Sequence, residues 1–204
     1  MTKQNKIYNL AVLASGNGSN LQAIIDGTKT NLIPYSQVMI VISDKKSAFA
    51  LNRAQNNNIE NVFIDPKLFN NEFEYNNKIL EIVKSRDIDL ILLAGYLKII
   101  CEPLLDFYHN KILNIHPSLL PKFGGAKMYG INVHKKVIKN KEKYTGCTVH
   151  IVTKDIDKGP IIAQKQIKVN DNDTPESLKH RILTYEHDLY PKAIKEYLHT
   201  LYEE

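Results

Sequence analysis

The fold class this sequence predicts is a single α/β domain: a mostly parallel, doubly wound (Rossmann-like) sheet with helices on both faces. Three observations predict it. Residues 7–14 (IYNLAVLA) and 87–94 (DIDLILLA) are short apolar runs, as expected of strands buried on both faces of a parallel sheet. Strand-like and helix-like patterns alternate with short connections, the mark of crossover units. The 204 residues carry no repeat, low-complexity tract or linker, so one domain over 1–204 is expected.

The elements follow in order. The first run leads into Ser15-Gly16-Asn17-Gly18-Ser19-Asn20, after which Leu21, Ile24 and Ile25 recur at helical spacing. Ser19 and Gln22 have capping-box spacing, which predicts the helix start at the end of this loop. A strand, a glycine-rich turn and a helix start make an anion site, because free backbone N–H groups and the positive helix end face an incoming phosphate. Leu21 stands where a dinucleotide loop would have its third glycine, and the Gly-Lys-Ser/Thr of a triphosphate loop is missing. A phosphate monoester fits better. Residues 38–42 read as a second strand, 47–57 as a helix with a polar exit at Asn56-Asn57-Asn58, and 61–64 as a third strand. The spacing predicts a helix over 69–85 with Phe73, Leu80 and Val83 inward, then a fourth strand over 87–94 ending at Gly95.

The run 111–115 is the fifth strand, and Pro117, which cannot donate to a sheet ladder, ends it. Residues 123–130 carry three glycines and fit either a mobile cover or an ordinary connection. A helix over 132–139 follows, then a strand over 145–153 with Thr148 and His150 on one face. A turn rich in acid and glycine (155–160) and a strand over 161–169 come next. Thr174-Pro175-Glu176 supplies an N-cap, a first-turn proline and an early acid for a long terminal helix, which Pro191 is expected to bend or split. Ligands in such sheets bind outside the carboxyl ends of the strands, which brings loops 15–20, 95–100 and 114–121 together.

Composition narrows the function. Hydrophobic residues make up 43% and charged residues 24%, as in ordinary globular proteins, and the net charge is +5. The lysines are scattered, and those between 135 and 143 read as a solvated face, so no nucleic-acid partner is expected. A modest positive field suits small anions. Cys101 and Cys147 form no Cys-x-x-Cys pair; neither a zinc site nor a disulfide framework follows, and reduced thiols in the cytoplasm are expected. Residues 1–6 are polar and no apolar segment approaches about 18 residues, so neither a signal peptide nor a membrane span is expected.

The chemistry concentrates in Asn114-Ile115-His116-Pro117-Ser118-Leu119-Leu120-Pro121. Asn114 and His116 are two apart, so on a strand they share one face, at its rim. A carboxamide and an imidazole converging there can act on a carbonyl: the amide donates to a developing oxyanion, and the histidine donates another hydrogen bond or moves a proton. His150 reads as a packed histidine and stays outside the site. Asp157, before Lys158-Gly159, fits a turn former as well as a catalytic acid.

With these residues in view, the chain resembles the phosphoribosylglycinamide formyltransferase family, folate-dependent enzymes of purine synthesis, over nearly its full length. The likeness rests on Ser15-Gly16-Asn17-Gly18-Ser19-Asn20-Leu21-Gln22, Leu93-Ala94-Gly95-Tyr96-Leu97, the Asn114–Pro121 block, Asp157-Lys158-Gly159-Pro160 and Glu186-His187. A tRNA formyltransferase would need a further C-terminal domain and a deformylase an N-terminal one; neither fits in 204 residues. The resemblance implies a formyltransferase-type fold that carries the formyl group of 10-formyltetrahydrofolate, a co-substrate, to the amine of glycinamide ribonucleotide. It implies a catalytic trio of Asn114, His116 and Asp157. In it Asn114 and a protonated His116 hold the oxyanion while Asp157 keeps the histidine cationic. Gly18, Ser19, Asn20, Leu21 and Gln22 would hold the ribonucleotide phosphate, and Glu186 the glycinamide end. Leu97, Lys98, Ile99 and Ile100 would line the folate pocket with Asn114, and Thr153, Lys154, Asp155, Ile156 and Asp157 would bind the pterin edge. Glu72 and Lys98 stand where relatives can carry arginine. No metal is implied, and the expected assembly is a monomer or homodimer. Two rivals remain: formyltetrahydrofolate hydrolysis, and a phosphate-ligand binding module without catalysis.

Overall fold

The computed structural model describes residues 6–203. Seven strands form one sheet: β1 (Tyr8–Leu13), β2 (Ser36–Ser43), β3 (Glu60–Phe63), β4 (Leu90–Leu93), β5 (Ile112–His116), β6 (Tyr144–Ile151) and β7 (Ile161–Lys168). The helices are α1 (Ser19–Lys29), α2 (Phe49–Asn56), α3 (Glu72–Lys84), the short α4 (Leu104–Phe107), α5 (Ile131–Lys139) and α6 (Pro175–Glu203). The strand order is β3-β2-β1-β4-β5-β6-β7, parallel through β5 and antiparallel for β6 and β7. The mostly parallel, doubly wound α/β architecture expected from the sequence is the one observed.

Alternation along β1 shows why helices cover both faces. Leu10 and Val12 join Leu21, Ile24 and Ile25 of α1, Ala50 and Ala54 of α2, and Tyr190, Ala193 and Ile194 of α6. Ala11 and Leu13 point the other way, to Tyr75, Ile79, Leu80 and Val83 of α3 and Leu104 of α4. At the antiparallel edge, Cys147 and Ile167 pack with Val137 of α5 and with Leu178 and Ile182 of α6. The phenol of the fully buried Tyr190 donates to the carbonyls of Leu93 (3.2 Å) and Leu113 (3.0 Å), pinning the ends of β4 and β5 to α6.

Several local expectations change. Phe73 is exposed, because the buried stripe of α3 is Tyr75, Asn76, Ile79, Leu80 and Val83, and Phe73 lies about 200° of helical rotation from Tyr75. The capping box does not form: Gly18 is the N-cap, at φ 74°, and no side chain caps α1. Pro191 does not split α6, which runs through it for 29 residues. Tyr190, Ala193, Ile194 and Tyr197 bury its face around the proline, so packing offsets the missing backbone donor. The 3₁₀ turn Pro66–Leu68 and α4 are additions too short for periodicity to signal.

Candidate active site

A cleft of about 940 Å³ opens at the carboxyl ends of β1, β4 and β5, flanked by residues of α5, α6 and the segment after β6. All of residues 15–20 line it. Gly18 has to be glycine twice over: its φ is positive, and a Cβ there would lie 2.8 Å from the Cα and Cβ of Ala50. Ser15 ties this loop to the next, its N–H donating to the Gly95 carbonyl (3.2 Å) and its hydroxyl accepting from the Leu97 N–H (2.8 Å). Asn20 donates to Glu186 Oε2 at 2.6 Å, and burial pushes the Glu186 carboxyl above its ordinary range despite that bond. Gly18, Ser19, Asn20 and Glu186 are therefore brought together as expected. Leu21 and Gln22 do not line the cleft. Leu21 is buried against α2 and α6, and Gln22 turns to Asp26 (2.9 Å).

The second wall is apolar. Leu97, Lys98, Ile99 and Ile100 all line the cleft, and so do Thr153, Lys154 and Ile156 across from them. Leu97, Ile99 and Ile156 stay 45%, 46% and 43% exposed, an uncovered surface suited to a flat apolar ligand. The buried Asn76 holds this wall in place, donating to the Ile99 carbonyl (3.2 Å) and accepting from the Cys101 N–H (3.2 Å). Asp155 is brought to the rim only: it is absent from the lining, and its side chain pairs in solvent with Lys158 at 3.7 Å.

Between the two walls sit Asn114, His116, His150 and Asp157. Antiparallel pairing sets Asn114 opposite His150 and His116 opposite Thr148. The Asp157 carboxylate reaches in from the turn after β6, its backbone at φ 57°. Its Oδ2 accepts from the Gly125 N–H (2.9 Å) and lies 3.5 Å from His116 Nδ1, while Oδ1 lies 3.5 Å from His150 Nε2. Burial would raise the Asp157 pKa, but the contact with His150, the charge of His116 and the Gly125 N–H outweigh it and hold the carboxyl below its usual value. His150 Nδ1 lies 3.0 Å from the Ile151 carbonyl, which can only accept, so Nδ1 carries a proton, while Nε2 stands between the Asn114 amide nitrogen at 3.1 Å and Asp157 Oδ1 at 3.5 Å. By the same logic His116 donates from Nε2 to the Phe123 carbonyl (2.8 Å) and turns Nδ1 toward Asp157.

Burial works against the imidazolium expected at His116. Burial lowers the His116 pKa, helped by His150 and outweighing the raising effects of Asp157 and the Phe123 carbonyl. Sequence reasoning left out His150, whose signal was its cross-strand position opposite Asn114. It also did not foresee Lys45, His134, Lys179 and His180 in the lining. Among the described residues, no group of three or more His, Cys, Asp or Glu stands together as a metal site, and no helix is long and apolar enough to cross a membrane.

The family model described as formyl transferase matches residues 8–194. This chain belongs to the formyl transferase family. Within that family it is 40% identical over 188 residues to the phosphoribosylglycinamide formyltransferase of Bacillus subtilis, covering 92% of this chain and 93% of that protein. It is 39% identical over 194 residues to the human trifunctional purine biosynthetic protein adenosine-3, covering 94% of this chain. The chain spans only 18% of the length of that relative and of its bovine counterpart. A solved glycinamide ribonucleotide transformylase 1 from Symbiobacterium toebii superposes with a TM-score of 0.89 at 39% identity, covering 96% of this chain and 89% of that one.

Proposed function

We propose that this formyl transferase moves the formyl group of 10-formyltetrahydrofolate to the amine of 5-phosphoribosylglycinamide, as a step of purine synthesis, with residues 1–204 acting as one formyltransferase domain. The observation that carries the reading is the order within one cleft: a phosphate-type loop, then Asn114, His116 and Asp157, then an apolar wall. The ribonucleotide phosphate lies against the backbone of Gly18, Ser19 and Asn20. Glu186, hydrogen-bonded to Asn20, stands at the same end of the cleft and is assigned to the glycinamide end of the acceptor. The folate lies along Leu97, Lys98, Ile99 and Ile100, facing Thr153 and Ile156.

The amine nitrogen attacks the formyl carbon, and the carbonyl electron pair moves onto oxygen. Asn114 releases His150 and donates its amide to that oxyanion. The attacking nitrogen, cationic after addition, gives up a proton to His116 at Nδ1, where Asp157 stabilises the imidazolium, and that proton passes on to the leaving folate nitrogen. The carbon–nitrogen bond to the folate then breaks, the carbonyl re-forms, and tetrahydrofolate and the formylated ribonucleotide leave. A metal is not part of this reading.

The test is a spectrophotometric assay with a 10-formylfolate donor, run with and without glycinamide ribonucleotide. Turnover that requires the acceptor is expected. Formate release at the same rate without it would make the protein a hydrolase instead.

A further inference from the structure

The 15–20 loop is held from behind by α2, outside the cleft. Arg53 Nε donates to the Asn17 carbonyl at 2.8 Å, one terminal nitrogen donates to Asn17 Oδ1 at 3.0 Å, and the other lies 3.4 Å from Gln22 Oε1. The guanidinium carbon stands 5.0 Å from the centre of the Phe49 ring, which limits its freedom. The Ala50 N–H donates to the Gly16 carbonyl at 3.1 Å. Two successive loop carbonyls, those of Gly16 and Asn17, are thus drawn toward α2.

The peptide unit is planar, and these units are trans, so each N–H points opposite to the carbonyl it shares a plane with. The N–H groups of Asn17 and Gly18 therefore point away from α2, to the side where both residues line the cleft. Among the described residues, no N–H from Gly16 to Leu21 donates to a protein acceptor; the first loop-to-helix bond is from Gln22 to the Gly18 carbonyl. A run of such inward N–H groups at a helix start is a receptor for a compact anion. The guanidinium charge also polarises the Asn17–Gly18 peptide, making the Gly18 N–H a stronger donor.

We infer that Arg53 is a positioning residue that turns the 15–20 loop into a receptor for the phosphate monoester of the acceptor, without touching the substrate itself. The inference rests on the ribonucleotide reading above and deepens it. Lysine cannot take the place of arginine, because a point charge with no planar fork cannot hold the Asn17 carbonyl, the Asn17 side chain and Gln22 together.

The test compares full-length wild type, Arg53→Lys and Arg53→Met, using calorimetry with ribose 5-phosphate as probe and steady-state kinetics. Loss of a charged hydrogen bond predicts that the ribose 5-phosphate Kd and the KM for glycinamide ribonucleotide rise by about tenfold or more in Arg53→Met, with Arg53→Lys between it and wild type. A positioning role in binding further predicts kcat within about threefold of wild type and an unchanged KM for the folate donor. A merely structural role would lower Tm and depress kcat and both KM values together; that pattern overturns the inference. So does an unchanged phosphate Kd, or wild type that fails to bind ribose 5-phosphate. Because calorimetry needs no turnover, wild-type binding lost in Arg53→Met supports the loop assignment even where the transfer assay is silent, and such silence removes only the reaction reading.

Discussion

The two ends of the cleft are built by different means. At the end of β1 the contact surface is backbone: the N–H groups of Asn17 and Gly18, aimed by Ala50 and Arg53 from behind. At the junction of β5 and β6 it is side chain. Antiparallel pairing sets Asn114 across from His150 and His116 across from Thr148, and the Asp157 carboxylate lies 3.5 Å from both imidazoles. Parallel strands leave together and present loops, while antiparallel strands place residues far apart in sequence face to face. Fixed dipoles suit a ligand group that does not change during the reaction. Titratable groups suit the place where charge moves. Glu186 is the exception at the loop end, a buried carboxyl held by Asn20.

Breaking the side-chain end has the largest effect. Asp157→Asn or Asn114→Ala is expected to lower kcat by about a hundredfold to a thousandfold, the usual consequence of removing an oxyanion donor or its charge partner, with Tm nearly unchanged. Activity near wild type in Asp157→Asn would remove Asp157 from the trio. His150→Phe comes next. It frees Asn114 and takes one partner from Asp157, so kcat is expected to fall about tenfold with both KM values intact. A KM effect in its place would assign His150 to binding.

Breaking the backbone end reverses the signature. Gly18→Ala forces a Cβ into Ala50 at positive φ, with an expected cost of about 1–3 kcal/mol in stability and a raised KM for the ribonucleotide. Denaturant unfolding and kinetics together would check it; an unchanged KM would show that the loop geometry is dispensable.

The smallest effect concerns pH. Burial, with Lys179 and His116 nearby, lowers the pKa of His134 from 6.5 to about 4. The unfolded chain takes up this proton near pH 6.5 and the folded chain only near 4, so stability is full above 6.5 and declines as pH falls between the two. The expected slope is about 1.4 kcal/mol per pH unit. His116, shifted the same way by burial, adds to it. Denaturant midpoints of His134→Asn at pH 5 and pH 7 should show a flatter dependence than wild type; an identical slope would assign the acid sensitivity elsewhere.

Much of this was legible in the sequence. Apolar runs mark β1 and β4, and the Ser15–Asn20 stretch announces a strand, a turn and a helix start. The Asn114–His116 spacing predicts two side chains on one strand face. These features are written at separations of two to four residues, where backbone geometry alone sets which side chains align. The trio itself needed the family resemblance, because Asp157 in an acid-glycine turn carries no signal of its own.

What only the tertiary structure decided lies at long separation. The antiparallel register of β5 with β6 makes His150 a partner of Asn114, 36 positions away in the chain. Arg53, likewise 36 positions from Asn17, reads as an ordinary helix cation until α2 docks behind the loop. Gly18 rather than Ser19 is the N-cap of α1, at a position where Ala50 leaves no room for a side chain. Pro191 stays inside α6, because burial of Tyr190, Ala193 and Ile194 outweighs the local preference of one residue. The His116 pKa is lowered, because desolvation depends on everything packed around it. Local pattern is a property of neighbours along the chain; register, close approach and burial are properties of neighbours in space, and they exist only once the sheet has formed.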